Sequence, residues 1–394
     1  MDKRLFDGRV RFEHVTGVGT MQVDFQPNQR VYTLIGENGV GKTKFLECLF
    51  AVLLFTYRMA NINIGFSWID LQRLPLKKAE LPNEKNEDFR RFSEHSNQGF
   101  KINEDVLFSG YQHQLPFVYL AAQGRGWVKK TNFQTQSFGS FQGRASKYLG
   151  NLFSVFQSGH SSFSLKSLNM ENDLEEWIIQ RARSANPYQA NEDNRKIEID
   201  TLLFLLNQFD GRIASDFLEI NGDDRIFIKL DNQKRELSEL SSGFTSILKI
   251  IQSIVAGYSY FTNEQQIANV RGVVLIDEIE SHLHNEWQIK IVPLLKKLFP
   301  NTTFFITTHS SLVISQLEQG EAYRLVRSKK DGVVYGKMID YPSNASFVDL
   351  LNEAFGVDLN KKKIERVQER DQEQAKKALL ELVRQELGGL GDKE

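Results

Sequence analysis

The sequence predicts an α/β protein with a mainly parallel core sheet, an N-terminal antiparallel β layer, a large helical and irregular insertion, and a C-terminal helix. Three segments carry that prediction. The buried-strand run "VYTLI" (31–35) passes straight into the glycine loop "GENGVGKT" (36–43) and then into an apolar helix, the opening unit of a parallel sheet. The run "VVLIDE" (273–278) is apolar until it ends in two acids, as a buried strand does where it meets solvent. A third buried strand, "TTFFITTHS" (302–310), ends in polar residues and a histidine.

Before the first core strand, "RVRFEHV" (9–15) and "MQVDF" (21–25) alternate with period two and read as paired strands. After it, "FLECLFAVLLFTY" (45–57) is the most membrane-like stretch, but it is too short to cross a bilayer and contains Glu47. A buried core helix is the expectation. Residues 58–110 are polar and without period, and "LPFVYLAA" (115–122) is a further buried strand. The stretch 131–166 is rich in Gln, Ser, Gly and Phe and reads as an irregular insertion containing a short helix. Two amphipathic helices, "NDLEEWIIQRARS" (172–184) and "RKIEIDTLLFLLNQF" (195–209), are joined by a polar loop with Pro187. A hairpin follows, "DFLEI" and "RIFIKL" around "NGDD" (221–224), with Asn221-Gly222 supplying the turn. It leads into "ELSSGF" (239–244) and an apolar-periodic helix at 245–257. "YRLVRS" and "VVYGKMI" form a terminal hairpin, and the tail from 360 onward is a charged helix with Ile364, Val367, Ala375, Ala378, Leu379, Leu382 and Val383 on a loose stripe. Four units result: a phosphate-loop lobe at 1–57, an insertion and helical subdomain at 58–215 that includes the strand 115–122, a second core part at 216–330, and a hairpin with helical tail at 331–394.

Composition is that of a folded globular chain, 41% hydrophobic and 25% charged. With 394 residues, either two lobes or one elaborated domain is expected. A net charge of -1 excludes a polycation built to coat nucleic acid. The lone Cys48 cannot form an internal disulfide, and an inert buried thiol suits a reducing cytoplasm. The N-terminus has no apolar segment of the secretory kind, so neither secretion nor membrane insertion is expected.

The loop Gly36-Glu37-Asn38-Gly39-Val40-Gly41-Lys42-Thr43 matches G-x-x-x-x-G-K-[ST] in full and stands between a strand and a helix. Its glycines let several main-chain N–H groups face one phosphate, and the helix N-terminus adds the positive end of its dipole. Lys42 would reach the β- and γ-phosphates of ATP, and the Thr43 hydroxyl would hold Mg²⁺. Such a cradle needs a metal carboxylate, and Asp277 at the end of its strand is the candidate. Its neighbour Glu278 is the candidate general base for the attacking water. His309 would contact the γ-phosphate or position the water. Gln123, after the strand "FVYLAA", would sense Mg²⁺ and the water, with Gln134, Gln136 and Gln142 competing for the role. Ser241, Ser242 and Gly243 are either a helix cap or a cluster of donors offered to an anion.

The order of phosphate loop, Gln loop, "LSSG", "LIDE" and a strand ending in His resembles the ABC-type ATPase superfamily across most of residues 9–328. There "LSGGQ" opens a helix and completes the nucleotide site of the opposite subunit, which implies a homodimer or higher homo-oligomer with two sandwiched ATP molecules. This chain departs from that pattern, with Ser242 in place of Gly and Phe244 in place of Gln. Those departures, with "DEIESHLH", resemble the OLD, RecF and SMC-like side of the superfamily, particularly the stand-alone Septu and retron-associated ATPases of bacterial defence. Glu280, His282 and His284 match an "E-x-H-L-H" pattern there; a metal site on the two histidines is the weaker reading. About seventy residues after the last sheet strand are too few for a nuclease domain on size grounds, so an effector such as a nuclease or toxin is expected on another chain. The alternative is a RecF- or SMC-like repair ATPase gripping duplex DNA, which predicts salt-sensitive nucleic-acid binding. A transporter subunit ranks last, since it needs a membrane partner and a more regular "LSGGQ".

Overall fold

The computed structural model describes residues 6–57, 73–82, 113–126, 140–156, 174–185 and 193–356, with scattered positions at 165, 166, 168, 188 and between 373 and 381. Along the chain run β1 (Gly8–Val15), β2 (Gly19–Phe25), β3 (Val31–Ile35), α1 (Lys42–Thr56), β4 (Lys78–Glu80) and β5 (Phe117–Leu120). Then come α2 (Phe141–Ser154), α3 (Leu174–Ser184), α4 (Lys196–Phe209), β6 (Ile213–Ile220), β7 (Ile226–Leu230) and β8 (Gln233–Glu236). The last part holds α5 (Ser242–Ser259), β9 (Gly272–Ile276), α6 (Asn285–Leu298), β10 (Thr302–Thr307), α7 (Ser311–Ile314), β11 (Ala322–Arg327), β12 (Val334–Met338) and α8 (Phe347–Phe355).

Nine strands form one sheet in the order β4-β1-β2-β12-β11-β3-β10-β9-β5. The segment β11-β3-β10-β9-β5 is parallel throughout, whereas β1 pairs antiparallel with both β2 and β4. The predicted antiparallel layer and parallel core are therefore two ends of the same sheet. Every residue of β3, β5 and β9 is buried, as expected of strands covered on both faces. Rings from three strands meet over one face of the sheet: Tyr32 of β3 stacks on Phe305 of the adjacent β10 at 5.0 Å between centroids, and Phe25 of β2 meets both edge-on or tilted. The helix α1 is buried nearly all round, Glu47 and Cys48 included, which confirms a core helix in place of a membrane span. Among the described residues no helix is long and apolar enough to cross a membrane.

Three features differ from the expectation. First, the terminal hairpin is not peripheral. β11 pairs parallel with β3 and β12 parallel with β2, so the hairpin joins the two halves of the sheet, and a boundary at 330 would cut it. Chain order does not reveal sheet neighbours here. Second, the hairpin after α4 has a third strand, β8, whose "QKRE" is too polar to read as one. It is joined to β7 by Asp231 and Asn232, both at positive φ, the backbone that suits a two-residue hairpin turn. Third, the turn between β6 and β7 is held by the Asn221 side chain, which accepts from the Asp223 and Arg225 amides, and the left-handed residue is Asp224, not Gly222.

The helix expected within 131–166 is α2, opened by Ser140, whose hydroxyl accepts from the Gly143 amide. Residues 127–139 and 157–164 on either side, with Gln134 and Gln136, lie outside the described residues, as does most of the tail stripe. The two amphipathic helices are α3 and α4, joined by a buried ion triad in which Glu198 accepts from Arg181 at 3.0 Å and Arg195 at 2.5 Å.

Candidate functional site

Because β3, β10 and β9 lie side by side and run parallel, their C-terminal ends meet at one edge. Residues 36–43, 277–280 and 307–309, far apart in the chain, are gathered there. β5 adds a fourth strand end, followed by the turn 121–126.

At the end of β3 the loop is forced by its glycines. Gly36 has φ 141° and a Cβ there would stand 2.8 Å from the Leu325 carbonyl oxygen, so the loop can pass against β11 only without a side chain. Gly41, at φ 113°, opens α1 in left-handed conformation. Glu37, Asn38 and Gly39 are exposed and Val40 half-buried, forming a rim over the helix N-terminus. The Lys42 ammonium curls back to the Gly36 and Glu37 carbonyls at 2.9 and 3.0 Å. Burial pushes Lys42 down to about 8, with Asp277, Glu278 and Glu280 opposing the shift. A lysine held on neutral carbonyls and partly desolvated is disposed to accept an anion.

The Thr43 hydroxyl donates to the Asp277 carboxylate, 2.9 Å from Oδ1 and 3.1 Å from Oδ2. Thr307 at the end of β10 donates to the same Oδ1 at 2.6 Å. Burial raises the Asp277 pKa, while the two hydroxyls pull the other way. This brings together the predicted magnesium pair, Thr43 and Asp277. Glu278 follows in left-handed conformation, φ 45°, with its amide donating to Thr307 Oγ1 at 2.7 Å and its carboxylate accepting from Ser281 Oγ at 3.2 Å. A non-glycine residue at positive φ is costly unless its surroundings hold it, and such strain clusters at functional sites.

His309 is placed by Glu280, whose carboxylate accepts from the His309 amide at 2.5 Å and from the Thr308 hydroxyl at 2.7 Å. Partial burial, then the Lys42 cation, lowers the His309 pKa, favouring the neutral imidazole. The ring lies parallel to that of Phe355 at the end of α8, centroids 6.5 Å apart.

Ser241 caps α5, its hydroxyl accepting from the Phe244 amide at 3.4 Å. Both Ser241 and Ser242 are exposed. Gly243 is buried because α5 presses on the loop after β9: a Cβ would stand 3.0 Å from the His282 carbonyl oxygen and 3.2 Å from the Trp287 ring. Phe244, where the superfamily pattern has Gln, is buried against Trp287. The His282 ring packs over Gly126 and the His284 ring faces Trp287. Among the described residues no group of three or more His, Cys, Asp and Glu gathers to hold a metal, so the two-histidine metal reading has no support.

Gln123 lies exposed in the turn after β5, and Gln142 stands in α2. The residue of that turn which reaches the site's backbone is Arg125, fully buried and bonded to carbonyls of residues 277–279. Arg125, Thr307 and the Glu280 contacts were missed by sequence reasoning. Thr307 had a signal, since a hydroxyl residue ending the strand beside β9 faces its terminal acid. Arg125 had none, because "QGRG" carries no period and its role depends on strand adjacency.

A phosphate loop between a parallel strand and a helix, with a Thr–Asp pair at the neighbouring strand end, defines a P-loop NTPase, and the set of groups is that of an ATPase. The chain belongs to the family described as "AAA domain, putative AbiEii toxin, Type IV TA system", which matches residues 31–315. It is 24% identical over 337 residues to Septu protein PtuA of Bacillus mycoides, a match covering 83% of this chain and 41% of that one. It is 33% identical over 106 residues to the "Retron Ec83 probable ATPase" of Escherichia coli, covering 27% and 20%. The matches span less than half the length of these curated relatives. Among solved structures, the Smc head domain from Pyrococcus furiosus bound to the C-terminal domain of ScpA aligns at a TM-score of 0.45 and 14% identity, covering 85% of this chain and 96% of that one.

Proposed function

We propose that this chain binds ATP with Mg²⁺, pairs with a second copy so that two nucleotides lie between them, and uses hydrolysis to control an effector protein in bacterial anti-phage defence. The effector class is a nuclease or toxin, and a reducing cytoplasm suits the buried Cys48. The observation that carries the reading is the convergence of Lys42, the Thr43–Asp277–Thr307 cluster, Glu278 and the Glu280-held His309 on one sheet edge. The relationship to Septu and retron proteins supports the defence role.

On this reading Lys42 exchanges its two carbonyl partners for the β- and γ-phosphates, a stronger charge-assisted contact. Thr43 and Asp277 would hold Mg²⁺, which when bound would offset the charge of the phosphates. Thr307 keeps the Asp277 carboxylate aimed at that position. Glu278 takes the proton of the attacking water, and neutral His309 orients toward the γ-phosphate. The exposed Ser241-Ser242 corner, with buried Gly243 behind it, offers hydroxyl and helix N-terminal donors to the γ-phosphate held by the twin. Cleavage removes those contacts, each worth about 1.5–3 kcal/mol, and the pair loosens.

Replacing the base tests the assignment. Glu278→Gln should bind ATP without cleaving it and accumulate as a dimer in size-exclusion chromatography with light scattering. A monomer of the same mass with and without ATP would sink the sandwich.

A further inference from the structure

We propose that Arg125 is a positioning residue for hydrolysis, holding the main chain of Asp277–Ile279 so that Glu278 stays in its left-handed conformation. The proposal rests on the reading of Glu278 as the general base. Through Ile276, β9 is paired on both sides, to β5 and to β10, and the Asp277 amide still donates to the Leu120 carbonyl at 2.9 Å. Beyond that point the chain turns toward β10, and the Ile279 amide donates to the Thr307 carbonyl at 3.1 Å. The carbonyls of residues 277–279 thereby leave the β5 ladder. Although the Ser281 amide donates to that of Glu278 at 2.9 Å, those of Asp277 and Ile279 need new donors, as buried main-chain groups must be paired.

Arg125 provides them. Its side chain bonds the carbonyls of Asp277, Glu278 (3.1 Å) and Ile279 (3.5 Å), and its Nε donates to Ala121 at 3.0 Å. All four acceptors are main-chain carbonyls, and the residue is 0% exposed. A buried guanidinium is ordinarily paired with a carboxylate. Burial pulls this one down to about 10, against the pull of the nearby acids, so it still carries its charge at neutral pH. The Glu278 residue is thus clamped from both sides: its amide by Thr307 at 2.7 Å, its carbonyl by Arg125 together with the Ser281 amide at 2.9 Å. Arg125 alone of these also holds the carbonyls on either side. With Arg125 removed, only the Ser281 amide remains on the Glu278 carbonyl and the flanking carbonyls are released. The φ of 45° can then relax toward the ordinary helical or extended regions, and the carboxylate moves off the water it activates.

Arg125→Met, Glu278→Gln and the double variant of the full chain decide the matter, by steady-state ATP hydrolysis, nucleotide binding and thermal melting. Arg125→Met should lose roughly 100-fold in kcat with KM within about threefold of wild type, the signature of a misplaced reacting group. The double variant should hydrolyse no more slowly than Glu278→Gln alone, since both act through one carboxylate. Wild-type kcat in Arg125→Met beside an inactive Glu278→Gln overturns the positioning role alone, and so do losses that multiply in the double variant. Wild-type turnover by Glu278→Gln overturns the base assignment, and the proposal falls with it. Should Arg125→Met fail to fold, Arg125→Lys, which keeps the charge and part of the donors, should fold and lose about tenfold in kcat at unchanged KM. Full kcat in that variant overturns the proposal.

Discussion

Removing the Glu280 carboxylate should both weaken the fold and displace His309. In the intact chain one oxygen accepts from the Thr308 hydroxyl at 2.7 Å and the other from the His309 amide at 2.5 Å. Thr308 is 0% exposed and its hydroxyl also accepts from the Ser310 amide, so water has no access with which to replace the lost acceptor. A hydrogen bond to a charged acceptor contributes about 1.5–3 kcal/mol, and the full value applies at Thr308. His309 is exposed, so its amide is re-solvated and about half the value applies. Glu280→Ala should therefore destabilise the protein by about 2–4.5 kcal/mol. Glu280→Gln keeps an acceptor for Thr308 but sets an NH₂ group against the His309 amide, and should cost about half as much. Urea denaturation followed by tryptophan fluorescence measures both, and kcat should fall in each while nucleotide affinity holds. A loss under about 0.5 kcal/mol in Glu280→Ala would refute the reasoning, for that is the range of a surface substitution touching nothing.

Nucleotide affinity should fall as pH rises above about 8, by up to tenfold per unit, because the free protein's Lys42 gives up the proton that bound phosphates require. The same shift makes the nucleotide-free fold gain stability between about pH 8 and 10.5, where the unfolded chain still binds a proton that folded Lys42 has released; neither trend should appear in Lys42→Met. Gly243→Ala must force a Cβ against the His282 carbonyl oxygen at 3.0 Å, and overpacking of about 1–3 kcal/mol should outweigh the helix preference of about 1 kcal/mol for Ala. A raised melting temperature in that variant would contradict the close packing of α5 on the loop after β9.

What could be read in advance was whatever the local sequence encodes by itself. The strand-loop-helix at 31–56 follows from spacing and glycines alone, and an apolar run ending in two acids places Asp277 and Glu278 at a strand end. Sheet order is a different matter. The hairpin β11-β12 is contiguous and looks terminal, yet it sits between β2 and β3, because burial of two strand faces is decided by partners far away in the chain. Arg125 illustrates the same limit at the site: its contacts exist only because β5 lies beside β9 and β9 then turns toward β10. Ser241 shows how one residue can fit two readings at once. It is a helix cap in the isolated chain, and the exposed corner it shares with Ser242 remains free to meet a second molecule.

Complementation between two inactive variants tests that meeting most directly. Lys42→Ala removes one chain's own phosphate contact, while Ser242→Arg blocks the exposed corner without touching the Ser241 cap. Each alone should fail to hydrolyse ATP. Mixed in equal amounts, they should recover about a quarter of the wild-type rate, since half the pairs are mixed and each mixed pair has one of its two sites intact. A mixture as inactive as its components would mean that each chain completes its own site.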